Sequence, residues 1–320
     1  MSNKKGAIEF GWIFALIVGA IILFFAFYFI GTKLGEQKTV GKLGTESQLD
    51  ILWSPFASFG SLAETSSKEF ALKSIEKINF SCSYDTEFGY SGISVVTNVK
   101  TYSRPKQIYD KYIFSEKALE GKNFQVISKP FEMPWRVADL IYFIQKNKKY
   151  CFEDFPDNRV EEEFGGEGNG MNISNFNFSG CKNNKDFIQV CDSGNCDIKV
   201  SLITNSVAKK DSNGRTKTVY FSGDALMYAA IFSDPDIYDC NVRRLAKRIK
   251  NEAEIYSGKA MALASKGCDV SFSSAQLEAG AEIIVINGVN RSDSAMASLS
   301  SAAASLQSQN PYSSLGCRVF

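Results

Sequence analysis

The chain of 320 residues contains no histidine. That absence removes the commonest general base, the commonest zinc ligand and the usual partner of a nucleophilic Ser or Cys, so most hydrolase arrangements lose a member. No catalytic constellation is legible in the residues that remain, and neither an enzyme activity nor a cofactor is expected. An excess of charge is missing too: 36 Lys and Arg against 35 Asp and Glu give no general attraction to nucleic acid. The acid-rich stretch 153–180 places Glu153, Asp154, Asp157, Glu161, Glu162, Glu163 and Glu167 among Gly165, Gly166, Gly168 and Gly170, yet lacks the Asp-x-Asp-x-Asp-Gly order of an EF-hand calcium loop. It reads as a solvated, mobile loop between two lobes. Cys191 and Cys196 have no second cysteine pair at the spacing of a zinc knuckle, so they read as a disulfide, and no metal site is expected.

One long apolar run is present. Residues 10–30 carry no charge, and 21 residues at about 1.5 Å each give roughly 31 Å, enough to cross a hydrocarbon core. The run is longer than a secretory signal's apolar core and leads into Gly31-Thr32-Lys33-Leu34-Gly35, so it reads as an anchor in the lipid bilayer. Lysines flank it on both sides, so the positive-inside rule does not set its direction. Orientation rests instead on the eight cysteines, Cys82, Cys151, Cys181, Cys191, Cys196, Cys240, Cys268 and Cys317, and on the glycosylation sequons at Asn79, Asn172, Asn177 and Asn290. Both suit an oxidising exterior. The expected topology is a single-pass cell-membrane protein with a cytoplasmic amino terminus (1–6), a span (7–31), a juxtamembrane helix or stalk (32–56) and an extracellular remainder.

Glu9 stands in the first turn of the span, where the helix dipole favours an anion. Lys4-Lys5-Gly6-Ala7-Ile8-Glu9-Phe10 resembles the class III signal of type IV pilin-like proteins. The resemblance implies cleavage between Gly6 and Ala7, retention of the apolar helix, and Glu9 as the acid that pairs with a neighbouring subunit's new amino terminus. In the usual pattern that acid is the fifth residue after the cut, whereas Glu9 is the third. The implied partners are like subunits or other membrane proteins reached through the span.

The remaining sequence predicts an α+β ectodomain stapled by disulfides, with a β-rich first lobe and a helical C-terminal part. Residues 57–152 carry strand-like runs at 78–82, 93–97 and 124–128. Val137, Leu140, Ile141 and Ile144 fall at i, i+3, i+4 and i+7, which predicts an amphipathic helix over 136–145, followed by a strand at 150–152. Residues 181–222 read as two hairpins, the first around Asp192-Ser193-Gly194-Asn195 and the second around Asn213-Gly214.

From 223 to 320 the pattern turns helical. A short apolar helix spans 224–232, and Ser233-Asp234-Pro235-Asp236 starts a helix of about 30 residues that ends at Gly267. Arg243, Arg244, Lys247, Arg248 and Lys250 give it a basic flank, expected to face solvent. Residues 277–290 fit either a helix or a buried strand. Residues 294–309 read as a helix of small side chains, and Cys317 suggests that the terminus is held down.

The segments 112–116, 134–142 and 223–233 are similar to uncharacterised single-pass membrane proteins of small-genome archaea, which implies an archaeal surface origin and supplies no mechanism. The expected role is a membrane-anchored extracytoplasmic structural or interaction protein, as a minor pilin-like subunit of a surface filament or secretion machine. The alternative is an anchored ligand-binding or receptor ectodomain with no filament role.

Overall fold

The computed structural model describes residues 18–20, 65–97, 100–101, 106–166, 171–268, 273–289, 293–308 and 318–320. The chain divides into two units, Met1–Pro55 and Phe56–Phe320. In the first, Val18, Gly19 and Ala20 are helical. The rest of the expected span, Gly6, Ala7, Glu9 and the segment 32–56 lie outside the described residues. Among the described residues no helix is long and apolar enough to cross a membrane.

The second unit is a mixed α+β fold. Its first sheet contains β1 (Ser66–Ser83), β2 (Tyr90–Thr97), β3 (Lys100–Thr101), β4 (Lys106–Ile108), β5 (Tyr112–Phe114), β6 (Ala118–Glu132) and β7 (Arg136–Gln145). The order is β3-β2-β1-β6-β7-β5, and β4 also pairs with β2. Because β4 returns to β2 while β5 joins β7 at the far end, the sheet curls back on itself. Inside the curl, Phe143 meets Phe80 and Phe124 with ring centroids 5.2 and 5.3 Å apart. Ile78, Val126 and Ile141 are buried with them.

The expected helix over 136–145 is therefore a strand. Three of the four residues at helical spacing belong to a longer run, Leu140-Ile141-Tyr142-Phe143-Ile144, in which every side chain is buried. Leu140, Tyr142 and Ile144 point to the main core, and Ile141 and Phe143 to the interior of the curl. A strand buried on both faces shows no alternation, so periodicity misreads it.

The second sheet contains β8 (Lys149–Asp154), β9 (Phe176–Asn177), β10 (Phe187–Cys191), β11 (Ile198–Ser201), β12 (Ser206–Lys210) and β13 (Thr216–Tyr220), in the order β13-β12-β11-β10-β8-β9. β12 and β13 form the expected antiparallel hairpin around Asn213-Gly214, where Gly214 takes a φ of 76°. The expected first hairpin is corrected: β10 and β11 run parallel, Val190 beside Ile198 and Cys191 beside Lys199. Parallel neighbours usually need a crossover of a dozen or more residues. Here residues 192–197 double back within the loop. The Asp197 N–H donates to the Gln189 carbonyl at 3.0 Å, and the Gln189 N–H donates to Asp197 Oδ2 at 2.8 Å. The chain has thus returned beside the start of β10 before β11 begins.

The stretch 153–180 also differs from the expected mobile loop. It contains the end of β8, helix α1 (Arg159–Phe164) and β9. Val160, Phe164, Ile173 and Phe176 are buried in the main core, and Glu163 pairs with Lys129. Apolar residues placed between the acids anchor the segment, and residues 167–170 lie outside the described residues.

Helix α2 (Gly223–Phe232) packs on β5, β6 and β7 of one sheet and β12 of the other. Every side chain from Ala225 to Phe232 is buried. Tyr142 Oη donates to the Ala225 carbonyl at 2.7 Å, and Phe232 stacks on Phe176 at 5.2 Å. Helix α3 (Pro235–Ala264) starts as expected, with the Asp234 side chain accepting from the Asp236 N–H at 2.9 Å. Residues 275–287 resolve as helix α4 (Ala275–Asn287), and α5 (Asp293–Ser308) follows. At the chain end Phe320 packs on Trp135 and Tyr256, at 5.4 and 5.8 Å.

Candidate functional site

The cysteines decide which loops are fixed. Cys82–Cys240 ties β1 to α3 across 158 residues, Cys151–Cys181 joins β8 to the segment after β9, and Cys191–Cys196 closes the short link between β10 and β11. Cys268 is disulfide-bonded as well, and Cys317 lies outside the described residues. The expected Cys191–Cys196 bond forms even though the strands flanking it are parallel. Cys151, Glu153 and Cys181 converge closely, but their sulfurs form a disulfide and supply no thiolate for a metal. The Glu153 carboxylate accepts the N–H groups of Cys181 and Lys182, both at 2.9 Å.

The last two disulfides tether the walls of a cleft of about 770 Å³ on the second sheet. Its floor comes from β10, β11 and β12, with Phe187, Ile188 and Ile198 as its apolar part. One wall is residues 183–185, just past Cys181, and the other is residues 194–196. The first wall is also held from below, since Gln189 Nε2 donates to the carbonyls of Cys181 and Asn184 at 3.2 and 3.0 Å. Sites of this volume are typical for small ligands, and walls fixed in advance lose little entropy on binding.

The cleft's charges sort into two groups. Lys209 is buried and donates to the Ile231 carbonyl at 2.9 Å and to Glu116 at 3.2 Å. Asp197 is engaged by Gln189. Lys185, Lys199 and Lys210 are exposed, and none has a salt bridge among the described residues. Sequence reading found Cys191 and Cys196 but not the cleft, because its lining converges from separate strands and loops.

The basic flank of α3 behaves oppositely, which corrects its expected solvent-facing role. Arg244 is 1% exposed. It donates to the carbonyls of Phe88 (3.2 Å), Lys111 (3.1 Å) and Tyr109 (3.0 Å), and to Ser91 Oγ and Asn241 Oδ1, both at 2.8 Å. The carbonyls lie on the two loops where the curled sheet closes. Burial pulls the guanidinium's pKa down to about 10, against the opposing pull of Tyr112 and Asp110. Gly89, at a φ of 58°, is required beside it, since a Cβ there would lie 2.4 Å from the Ser83 carbonyl and 2.8 Å from Arg244 Cγ.

Arg243 donates to the Val285 and Ile286 carbonyls at the end of α4, at 2.8 and 3.0 Å. Lys247 donates to the Tyr84 and Thr86 carbonyls at 2.5 and 2.9 Å. Arg248 and Lys250 pair with Glu252 and Glu282. Arg244 and Lys247 thus clamp the first sheet, and Arg243 and Lys250 clamp α4.

At the start of α3, Asp236 pairs with Lys117 and Lys217. Burial raises its pKa, but the two ammonium groups outweigh burial and hold it below the usual carboxylate value. Of the sequons, Asn172 is exposed, Asn177 and Asn79 are half-buried, and Asn290 lies outside the described residues. Asn79 sits mid-sheet, between Ser94 of β2 and Ala118 of β6. No protein-family model matches this chain, and no curated protein or solved structure matches it.

Proposed function

We propose that this chain is a membrane-anchored extracytoplasmic interaction protein, held by a single N-terminal span with residues 33–320 outside. The observation that carries this reading is the uncharged 21-residue run at 10–30, ahead of a domain whose described cysteines are all disulfide-bonded. Disulfides persist in oxidising compartments, and a chain that keeps such a run stays in the bilayer. In the finer form of the proposal the chain is a minor pilin-like subunit of an archaeal surface filament or secretion machine, cut between Gly6 and Ala7, with Glu9 pairing to a neighbouring subunit.

The test is the amino-terminal sequence and intact mass of the protein from its native membrane, alkylated before and after reduction. The expected chain begins at Ala7 and takes up alkylating agent only after reduction. A chain beginning at Met1 or Ser2 overturns the pilin-like form and leaves a plain anchor. Alkylation without reduction overturns the extracytoplasmic placement.

A second reading, an anchored ligand-binding ectodomain with no filament role, is favoured by the cleft. Its two walls are tethered by two disulfides, and three of its lysines have no ion-pair partner among the described residues. Under this reading Glu9→Ala leaves the assembly state unchanged.

A further inference from the structure

We infer that the cleft on the second sheet binds an acidic sugar chain, a glycan whose rings carry carboxylates. This rests on the second reading above and adds the ligand's chemistry. Three features of the lining each select a part of such a ligand. Lys185, Lys199 and Lys210 present three ammonium groups without salt-bridge partners among the described residues. Of the two carboxylates of the lining, Glu116 is paired with Lys209, whereas Asp197 accepts from the Gln189 N–H and keeps its charge, so the three lysines stand against one carboxylate. The cleft's free charge is therefore positive, although the whole chain is balanced at +1. An anion entering it meets donors whose interactions with protein do not have to be broken first.

The apolar part of the floor selects for a ring. Phe187 is half-buried and lies under Lys149 Nζ, 5.5 Å from its ring centroid. A half-buried aromatic ring in the lining beside ammonium groups suits a ligand with an apolar ring face and an acidic substituent, more than a small inorganic anion that would leave the phenyl surface wet.

Amides supply the third feature. Asn183, Asn184 and Asn195 stand on the two walls, all exposed. A side-chain amide both donates and accepts, which matches hydroxyl groups; the Asn184 oxygen already accepts from the Asp186 N–H at 3.0 Å, so its amide group is offered chiefly as a donor. Because the walls are tethered by Cys151–Cys181 and Cys191–Cys196, these groups are placed before a ligand arrives.

The experiment is a calorimetric titration of the full chain in lipid nanodiscs at low salt, with three probes: a trimer of galacturonic acid, the uncharged galactose trimer of the same linkage, and inorganic phosphate. The expected result is saturable binding of the acidic trimer, weakened by added salt, with little heat from the other two. The triple variant Lys185→Ala, Lys199→Ala, Lys210→Ala should lose about tenfold or more in affinity. Phe187→Ala should weaken the acidic trimer without altering the response to phosphate.

Equal binding of the neutral trimer, abolished by Phe187→Ala, overturns the charge assignment while leaving a ligand cleft. Phosphate binding as tight as the acidic trimer overturns the sugar assignment. No binding of any probe, with the variants' circular dichroism unchanged, overturns the inference. In that case Glu9→Ala and the amino-terminal sequence decide separately whether the anchored-subunit reading stands.

Discussion

Two cation-rich regions end in opposite states. On α3, Arg243, Arg244 and Lys247 are turned inward, and most of their hydrogen bonds end on main-chain carbonyls of the first sheet's loops and of α4. On the second sheet, Lys185, Lys199 and Lys210 line an open cleft without salt-bridge partners among the described residues. Local charge density favours α3 as the binding surface, and the fold reverses that ranking. What decides is whether unpaired acceptors come within reach. The closing loops of a curled sheet leave carbonyls without ladder partners, and such groups must be paired when buried. Arg244 meets that demand with a planar fork of five donors.

The two regions also differ in how they are cross-linked, and removing the staples sharpens the contrast most. In the chain-entropy picture, Cys82–Cys240 closes a separation of 158 residues and Cys191–Cys196 one of 5. The stabilisations differ accordingly, about 5 kcal/mol against about 2 kcal/mol. Replacing Cys82 and Cys240 together by Ser should therefore lower the denaturation midpoint more than replacing Cys191 and Cys196. The second pair of changes should instead act on ligand affinity by loosening a wall of the cleft. Denaturant melts of the two variants, with the titration above, check both halves. Equal loss of stability would show that the α3 clamp holds without its disulfide.

Next in size is Arg244→Lys. The charge stays, but a lysine has three donors and no fork, so several of the Phe88, Tyr109, Lys111, Ser91 and Asn241 acceptors lose their partner. At roughly 1–3 kcal/mol for each buried group left unsatisfied, a loss of about 3 kcal/mol is expected. Unfolding followed by tyrosine fluorescence measures it. A loss below about 0.5 kcal/mol, the range of surface substitutions, would place Arg244 among ordinary solvated residues and remove the contrast.

The same contrast explains which parts of the fold the sequence discloses. The capping signal at Ser233-Asp234-Pro235 and the turn at Asn213-Gly214 are local, and both appear as read. The helix expected at 136–145 fails because a strand buried on both sides carries no period to read. The first hairpin fails because the reversal at residues 192–195 is undone by residue 197, a fact of hydrogen bonding invisible in the turn residues. The buried place of Arg244 is missed because its carbonyl acceptors lie more than 130 residues away in the chain. The candidate cleft is legible only in its two close cysteines, since its lysines are ordinary until two tethered loops place them around one space.

The smallest expected effect is in acid, and it sets a further pair of cations held by the fold against the cleft lysines. Lys117 and Lys217 act in folding, because they hold Asp236 below the usual carboxylate pKa. A carboxyl whose pKa is lowered by folding contributes stability that is complete above its unfolded value, near pH 4, and is lost as pH falls through the lower folded value. Part of this group is exposed, so solvent screening keeps the contribution modest. Asp236→Asn should remove that portion of the acid dependence, so that variant and parent converge in stability as pH falls below about 4. Lys199 and Lys210 have no salt bridge to a carboxylate among the described residues, so the acid profiles of Lys199→Ala and Lys210→Ala should overlay the parent's at every pH. Thermal midpoints measured from about pH 7 to about pH 2 give the comparison. A shift of the acid limb in the Lys199 or Lys210 variants would mean that the cleft lysines are paired in solution, and the distinction between a cation held by the fold and one left for a ligand would fail.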